Sequence, residues 1–164
     1  MEREQPSGSP AATRSCGDCT MCCTLLGVGD LNKPPDVWCR HCTDDRGCSI
    51  YDSRPQSCRD FICDWLYAPP TMWSVYNDAM RPDRSHVVVY PGGDGTPTMK
   101  VDPSYPEAWM HEPVRSLLIG LVKLRGRAHV AIGPRRIVVE LRDEANQAAV
   151  RVTQDWIEGD AAGA

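Results

Sequence analysis

The chain has 164 residues, 41% of them apolar, which is enough for one domain or two small ones. Its formal net charge of −4 speaks against general nucleic-acid binding, which leans on a basic footprint. No apolar run approaches the roughly 18 residues that a membrane span needs.

Residues 1–14 read as a flexible tail rich in Pro, Ser, Gly and Ala. "MEREQPSGSPAATRS" lacks the apolar core of a secretory signal, so the cytoplasm is the expected compartment. Residues 15–85 form a cysteine-rich region with little regular pattern. Within it, "GVGDLNKPPD" (27–36) is a turn-rich connector between two cysteine groups. With few aliphatic residues to bury, this region is expected to need a cross-link or a metal in order to fold.

Residues 86–157 carry a stronger pattern. "HVVVY" (86–90) is a β-branched run closed by the turn signal "PGGDG", and "TPTMKV" (96–101) returns as the second strand of a hairpin. A helix is expected from near Pro106, adjusted at Pro113, with Val114, Leu117, Leu118, Leu121 and Leu124 at helical spacing and Gly126 as its stop. "AHVAIG" (128–133) and "RRIVVEL" (135–141) are two more strands, and a last helix is expected from Glu144 to Ile157. The fold class is then α+β: an irregular, metal-stapled cysteine region followed by a small ββαββα module, with residues 158–164 as a tail.

All nine cysteines lie in the first half: Cys16, Cys19, Cys22, Cys23, Cys39, Cys42, Cys48, Cys58 and Cys63. In a reducing cytosol such a set favours metal binding over disulfides, and an odd count fits poorly with complete pairing. Cys16-x2-Cys19-x2-Cys22 and Cys39-x2-Cys42 have the spacing at which a tight turn brings two thiolates to one ion. Eight cysteines fill two tetrahedral sites and leave one over. Cys22 and Cys23 are adjacent, so they diverge from the backbone; either they serve two neighbouring sites or one is spare. Thiolates suit zinc, iron and iron–sulfur clusters alike, with zinc ahead. No cysteine is followed by proline, unlike the loop of bacterial ferredoxins. A thioredoxin-like redox pair lacks its strand–helix setting, and His41 inside "CRHC" is expected to stand exposed rather than to bind.

"CGDCTMCC", "WCRHC", "GCSIYDSRPQSCRDFICDWL" and "RPDRSHVVVY" resemble the bacterial YkgJ-like cysteine-cluster (CxxCxxCC) family over about half of the chain, residues 15–90. The family's domain is described as zinc- or iron-chelating and is similar to the metal-binding part of flagellin lysine N-methylases. The resemblance implies all nine cysteines as the ligand set. It carries over no methylase activity, because no Gly-rich nucleotide loop follows a strand here; "VYPGGDGTP" is better explained as a hairpin turn.

Around the cysteines, Arg54 and Arg59 are candidates to offset thiolate charge, against plain salt bridges to Asp52 or Asp60. Pro55 is placed to start a helical turn that carries Cys58. Phe61 and Trp65, four apart, are expected to pack as a small core around the metal, with Tyr51 and Trp38 adding to its wall. Six cations and no acid between Pro113 and Val139 (Arg115, Lys123, Arg125, Arg127, Arg135, Arg136) mark a docking patch for an acidic protein partner, set against an ordinary solvated face. No nucleophile–base pair stands out. The expected function is a structural or accessory metal-binding protein, not an enzyme, that chelates zinc or iron. The alternative is an iron–sulfur protein in methylase-like protein modification or redox chemistry.

Overall fold

The computed structural model describes residues 14–43, 47–142 and 150–157. The cysteine-rich half is built from short pieces: α1 (Met21–Leu25), the two-residue strands β1 (Cys42–Thr43) and β2 (Gly47–Cys48), α2 (Gln56–Asp60), α3 (Asp64–Tyr67) and α4 (Pro82–Ser85). None is long enough to be stable on its own hydrogen bonds. Each is held by what it packs against.

What it packs against is a five-stranded sheet. β3 (Val87–Pro91) and β4 (Pro97–Val101) form the expected antiparallel hairpin. The Asp94 carboxylate accepts from the Thr96 amide and hydroxyl to close its turn, and Gly95 supplies the positive φ of +79°. The helix α5 (Val114–Arg125) then crosses over and β5 (Arg127–Ile132) runs parallel to β4. β6 (Arg135–Leu141) and β7 (Val150–Ile157) follow, each antiparallel to its predecessor, in the spatial order β3-β4-β5-β6-β7. The fold is therefore mixed α and β, as its class was expected to be.

Three expectations change. The last element is a strand, not a helix: within 150–157, Val150, Val152, Thr153, Trp156 and Ile157 favour an extended backbone, and β6 offers an edge to pair with. The module is thus ββαβββ; the start expected at Glu144 lies outside the described residues. Second, α5 begins at Val114, with only a short 3-10 turn at Ala108–Met110 before it. Pro113 has no amide to donate and disfavours helix at the residue before it. At the other end Gly126 (φ +84°) stops the helix as expected, but Leu124 is 74% exposed and Val122 takes the inward position. Third, Arg14 is not free tail: it donates to the Trp65 carbonyl at 2.9 Å and lies over the Trp65 and Trp73 rings.

Strand alternation gives the sheet two working faces. Val87, Val89, Met99, Val101, Val130 and Ile137 join the core that α5 closes with Val114, Leu117, Leu118 and Val122. Trp65, Tyr76 and Met80 enter the same core, so packing runs without a break across residue 85. On the other face, Met21 and Leu25 of α1 sit against Val88. That contact places the cysteine segment on the sheet. Next to it, buried Lys100 of β4 pairs with Asp36 at 2.6 Å and ties down the 27–36 connector. Among the described residues no helix is long and apolar enough to cross a membrane.

Candidate metal centre

Each cysteine is positioned by a short, local device. The Cys19 amide donates to the Cys16 carbonyl at 3.0 Å, and the Cys42 amide to the Cys39 carbonyl at 2.9 Å. Both Cys-x2-Cys segments therefore make the tight turn that their spacing predicts. Gly17 supports the first with φ +55°. α1 carries Cys22 and Cys23, and the Cys39 amide donates to the Cys23 carbonyl at 3.1 Å, which lays the second turn against α1. Cys42 stands opposite Cys48 in the β1–β2 ladder. Pro55 caps α2 and Cys58 is its third residue, while Cys63 caps α3 and its carbonyl accepts from the Leu66 and Tyr67 amides.

These devices converge. Eight of the nine cysteines, all but Cys42, line one cavity of ≈ 190 Å³. Leu26, Ile50, Phe61, Leu66 and Val88 give it an apolar wall. Cys42 is buried and does not line the cavity. His41 is half-buried at the cavity, with Nε2 3.3 Å from Arg40 Nε. The other histidines, His86, His111 and His129, lie away from it.

The surroundings differ from expectation at four side chains. Phe61, Trp65 and Tyr51 all line the cavity as expected, but Phe61 and Trp65 belong to two different packing clusters and not to one small core. The chain leaves helical geometry at Phe61 and re-enters at Asp64, so four-residue spacing no longer means one face. Trp65 goes to the sheet core, and Phe61 meets Tyr90 edge-on at 5.6 Å. Trp38 stands outside the cavity and donates from Nε1 to the Cys42 carbonyl at 2.9 Å, bracing the turn from behind. Arg59 bonds Gln56 of its own helix and stays exposed. Arg54 lines the cavity beside the thiols: it donates to the Tyr51 carbonyl, lies 3.7 Å over the Tyr51 ring, and its charge favours the thiolate forms of Cys16 and Cys58.

Two further cations were not legible from the spacing. Lys33 is buried at the cavity wall, and its ammonium donates to the carbonyls of Thr24, Leu26 and Pro34. Burial pulls its pKa down, against the pull of Cys39, Cys23, Asp36 and Cys22. Arg81 donates to the Cys16 carbonyl at 3.1 Å and pairs with Asp18. Lysine in a turn-rich connector looks like surface, and only the folded chain brings it under α1.

Burial pushes the thiols of Cys16, Cys19, Cys42 and Cys58 up, and that of Cys63 up to about 11. Cys22 is pushed up first by its hydrogen bond to Cys23 and then by burial. Left to themselves these groups hold their protons at neutral pH. A divalent cation inverts that preference by ligating the thiolate. The donor chemistry, the partial burial and the flanking cations fit a thiophilic ion. Among the described residues, however, no three Cys, His, Asp or Glu side chains converge into a ready coordination sphere. The thiols line the cavity, and an ion held by three or more of them would require them to move closer together.

The basic stretch at 113–139 is spread over α5, β5 and β6. Arg115 pairs with Glu112, and Arg135 makes a two-point contact with Asp155 at 2.8 and 2.6 Å, so acids from outside the stretch answer two of its cations. Comparison of the chain with protein-family models, with curated proteins and with solved structures finds no significant match.

Proposed function

We propose that this protein binds zinc or iron through its clustered cysteine thiolates, as a structural or accessory metal protein of the YkgJ-like kind. The observation that carries the reading is the cavity shared by eight of nine cysteines drawn from four separate segments. Cysteines buried merely as small apolar residues have no reason to meet at one place. Lys33, Arg54 and Arg81 add a positive rim, which lowers the cost of gathering thiolates. When bound, the ion supplies thiolate bonds that replace the missing aliphatic core of residues 15–67. The chain's own residues do the rest. α1 and the two Cys-x2-Cys turns present the sulfurs, and the apolar wall limits water.

The test is elemental analysis of anaerobically purified protein together with its absorption spectrum. The expected result is about one to two zinc or iron ions per chain, from four thiolates per tetrahedral ion. A colourless sample carries zinc. A brown sample with acid-labile sulfide moves the reading to an iron–sulfur protein. Finding neither metal, with thiols oxidised in pairs, overturns it.

A further inference from the structure

We propose that a second cavity, between the connector and the sheet, binds a small organic oxyanion: a phosphate or carboxylate group carried on an apolar body. The cleft shares Leu26 and Gly27 with the cysteine cavity, but its chemistry does not depend on the metal-binding reading.

The cleft has a volume of ≈ 300 Å³ and lies over the sheet face that α5 does not cover. Small-molecule sites begin at about this size. Strand register builds its floor. Lys100 of β4 stands beside Ala131 of β5, Ala131 stands opposite Arg136 of β6, and Arg136 stands opposite Trp156 of β7. These residues form one row across the sheet, and all of them line the cleft. Neighbouring strands lie about 4.8 Å apart, so Lys100 and Arg136 are about 10 Å apart at the backbone with Ala131 between them. A methyl group at that place leaves a hollow between two long cationic side chains. The next row adds Thr98 and His129, paired across β4 and β5.

Both cations are held in place. Lys100 is 4% exposed, and its ammonium donates to Asp36 at 2.6 Å. Arg136 donates from Nη1 to the Gly133 and Arg135 carbonyls at 2.7 and 3.1 Å, which anchors the guanidinium. Asp and Glu number 22 in the chain, yet none is among the described residues that line the cleft. Asp36, the partner of Lys100, is not on its wall. Cationic groups fixed in this way meet an oxyanion with little further loss of side-chain freedom. Much of the remaining wall is apolar, with Leu25, Leu26, Pro35, Ile137 and the Trp156 ring. Trp156 is 43% exposed and belongs to neither hydrophobic cluster of the described residues. A bare anion leaves that wall against water, whereas an apolar or aromatic body beside the oxyanion covers it.

The test titrates phenyl phosphate, benzoate and inorganic phosphate into the anaerobically purified full-length protein by calorimetry, and maps the site from backbone amide and indole shifts by NMR. The expected result is one organic anion bound per chain, more tightly than inorganic phosphate. The shifts should gather at Lys100, Ala131, Arg136 and the Trp156 indole. Whichever of phenyl phosphate and benzoate binds more tightly names the headgroup. Arg136→Gln should weaken binding about tenfold, from the loss of a charge-assisted hydrogen bond. Ala131→Leu fills the hollow and should abolish binding. No binding of either organic anion at millimolar concentration, shifts that gather elsewhere, inorganic phosphate bound as tightly as phenyl phosphate, or variants that bind like the wild type overturn the assignment. The wild-type shift map decides the matter even if a variant fails to fold. Failure here leaves the metal-binding reading standing.

Discussion

Lys33 is the residue whose role changes most between sequence and structure. It reads as an ordinary charged residue in a polar connector, yet it is buried and donates to three carbonyls around the end of α1. A helix end buried in this way needs donors for its last carbonyls. Lys33→Met keeps the apolar stem and removes the ammonium. The expected outcome is a loss of about 2 kcal/mol of stability, from carbonyls left without a donor, together with weaker metal binding. Thermal unfolding and a metal-competition titration check it; an unchanged melting temperature contradicts the capping role. The thiols themselves were legible from spacing alone, down to the two tight turns. Their gathering was not: nothing in the string "CC" says that Cys22 and Cys23 both line the cavity while Cys42 does not. That depends on the direction of α1 over the sheet.

At the scale of elements, strong periodicity transferred and weak periodicity did not. The β3–β4 hairpin, β5 and β6 stand where alternation and turn residues put them, and α5 does so from Val114 onward. β7 was misread because a run with Arg151, Gln154 and Asp155 between apolar residues suits either an amphipathic helix or an edge strand. Pairing with β6 decides it, and that is a tertiary fact. The Asp155 contact to Arg135 then fixes one end of the strand. The connector is the other element whose role emerged only in the fold. Lys100 sits in a strand buried along its whole length, and Asp36, at φ +59°, answers it from 64 residues away. Asp36→Asn tolerates the same backbone conformation but leaves the Lys100 charge buried without its partner. The expected cost is about 3 kcal/mol in denaturant unfolding, at the lower end of the usual range for a buried pair because Asp36 is partly exposed. A change under 1 kcal/mol contradicts the claim that this pair locks the connector onto the sheet.

For the molecule as a whole, stability is divided unevenly. The sheet and α5 bury the aliphatic side chains, whereas residues 15–67 offer mainly thiols, turns and short helices. On the proposed reading, metal ligation would be a folding energy for that half. Removing the metal with a chelator should open residues 15–67 to protease and to hydrogen exchange while the strands of the sheet stay protected. The packing of Trp65 into the sheet core and of α1 onto Val88 sets the limit of that opening, because the buried members of these anchors are aromatic and aliphatic side chains and Met21. Equal loss of protection in both halves contradicts the division.

The central claim is that the cysteine cavity is a thiolate metal site, and X-ray absorption at the metal edge of the anaerobically purified protein tests it most directly. The account predicts a zinc or iron edge whose first shell is about four sulfurs at roughly 2.3 Å, the distance of thiolate from zinc. A first shell of oxygen and nitrogen, or no metal edge at all, would contradict it.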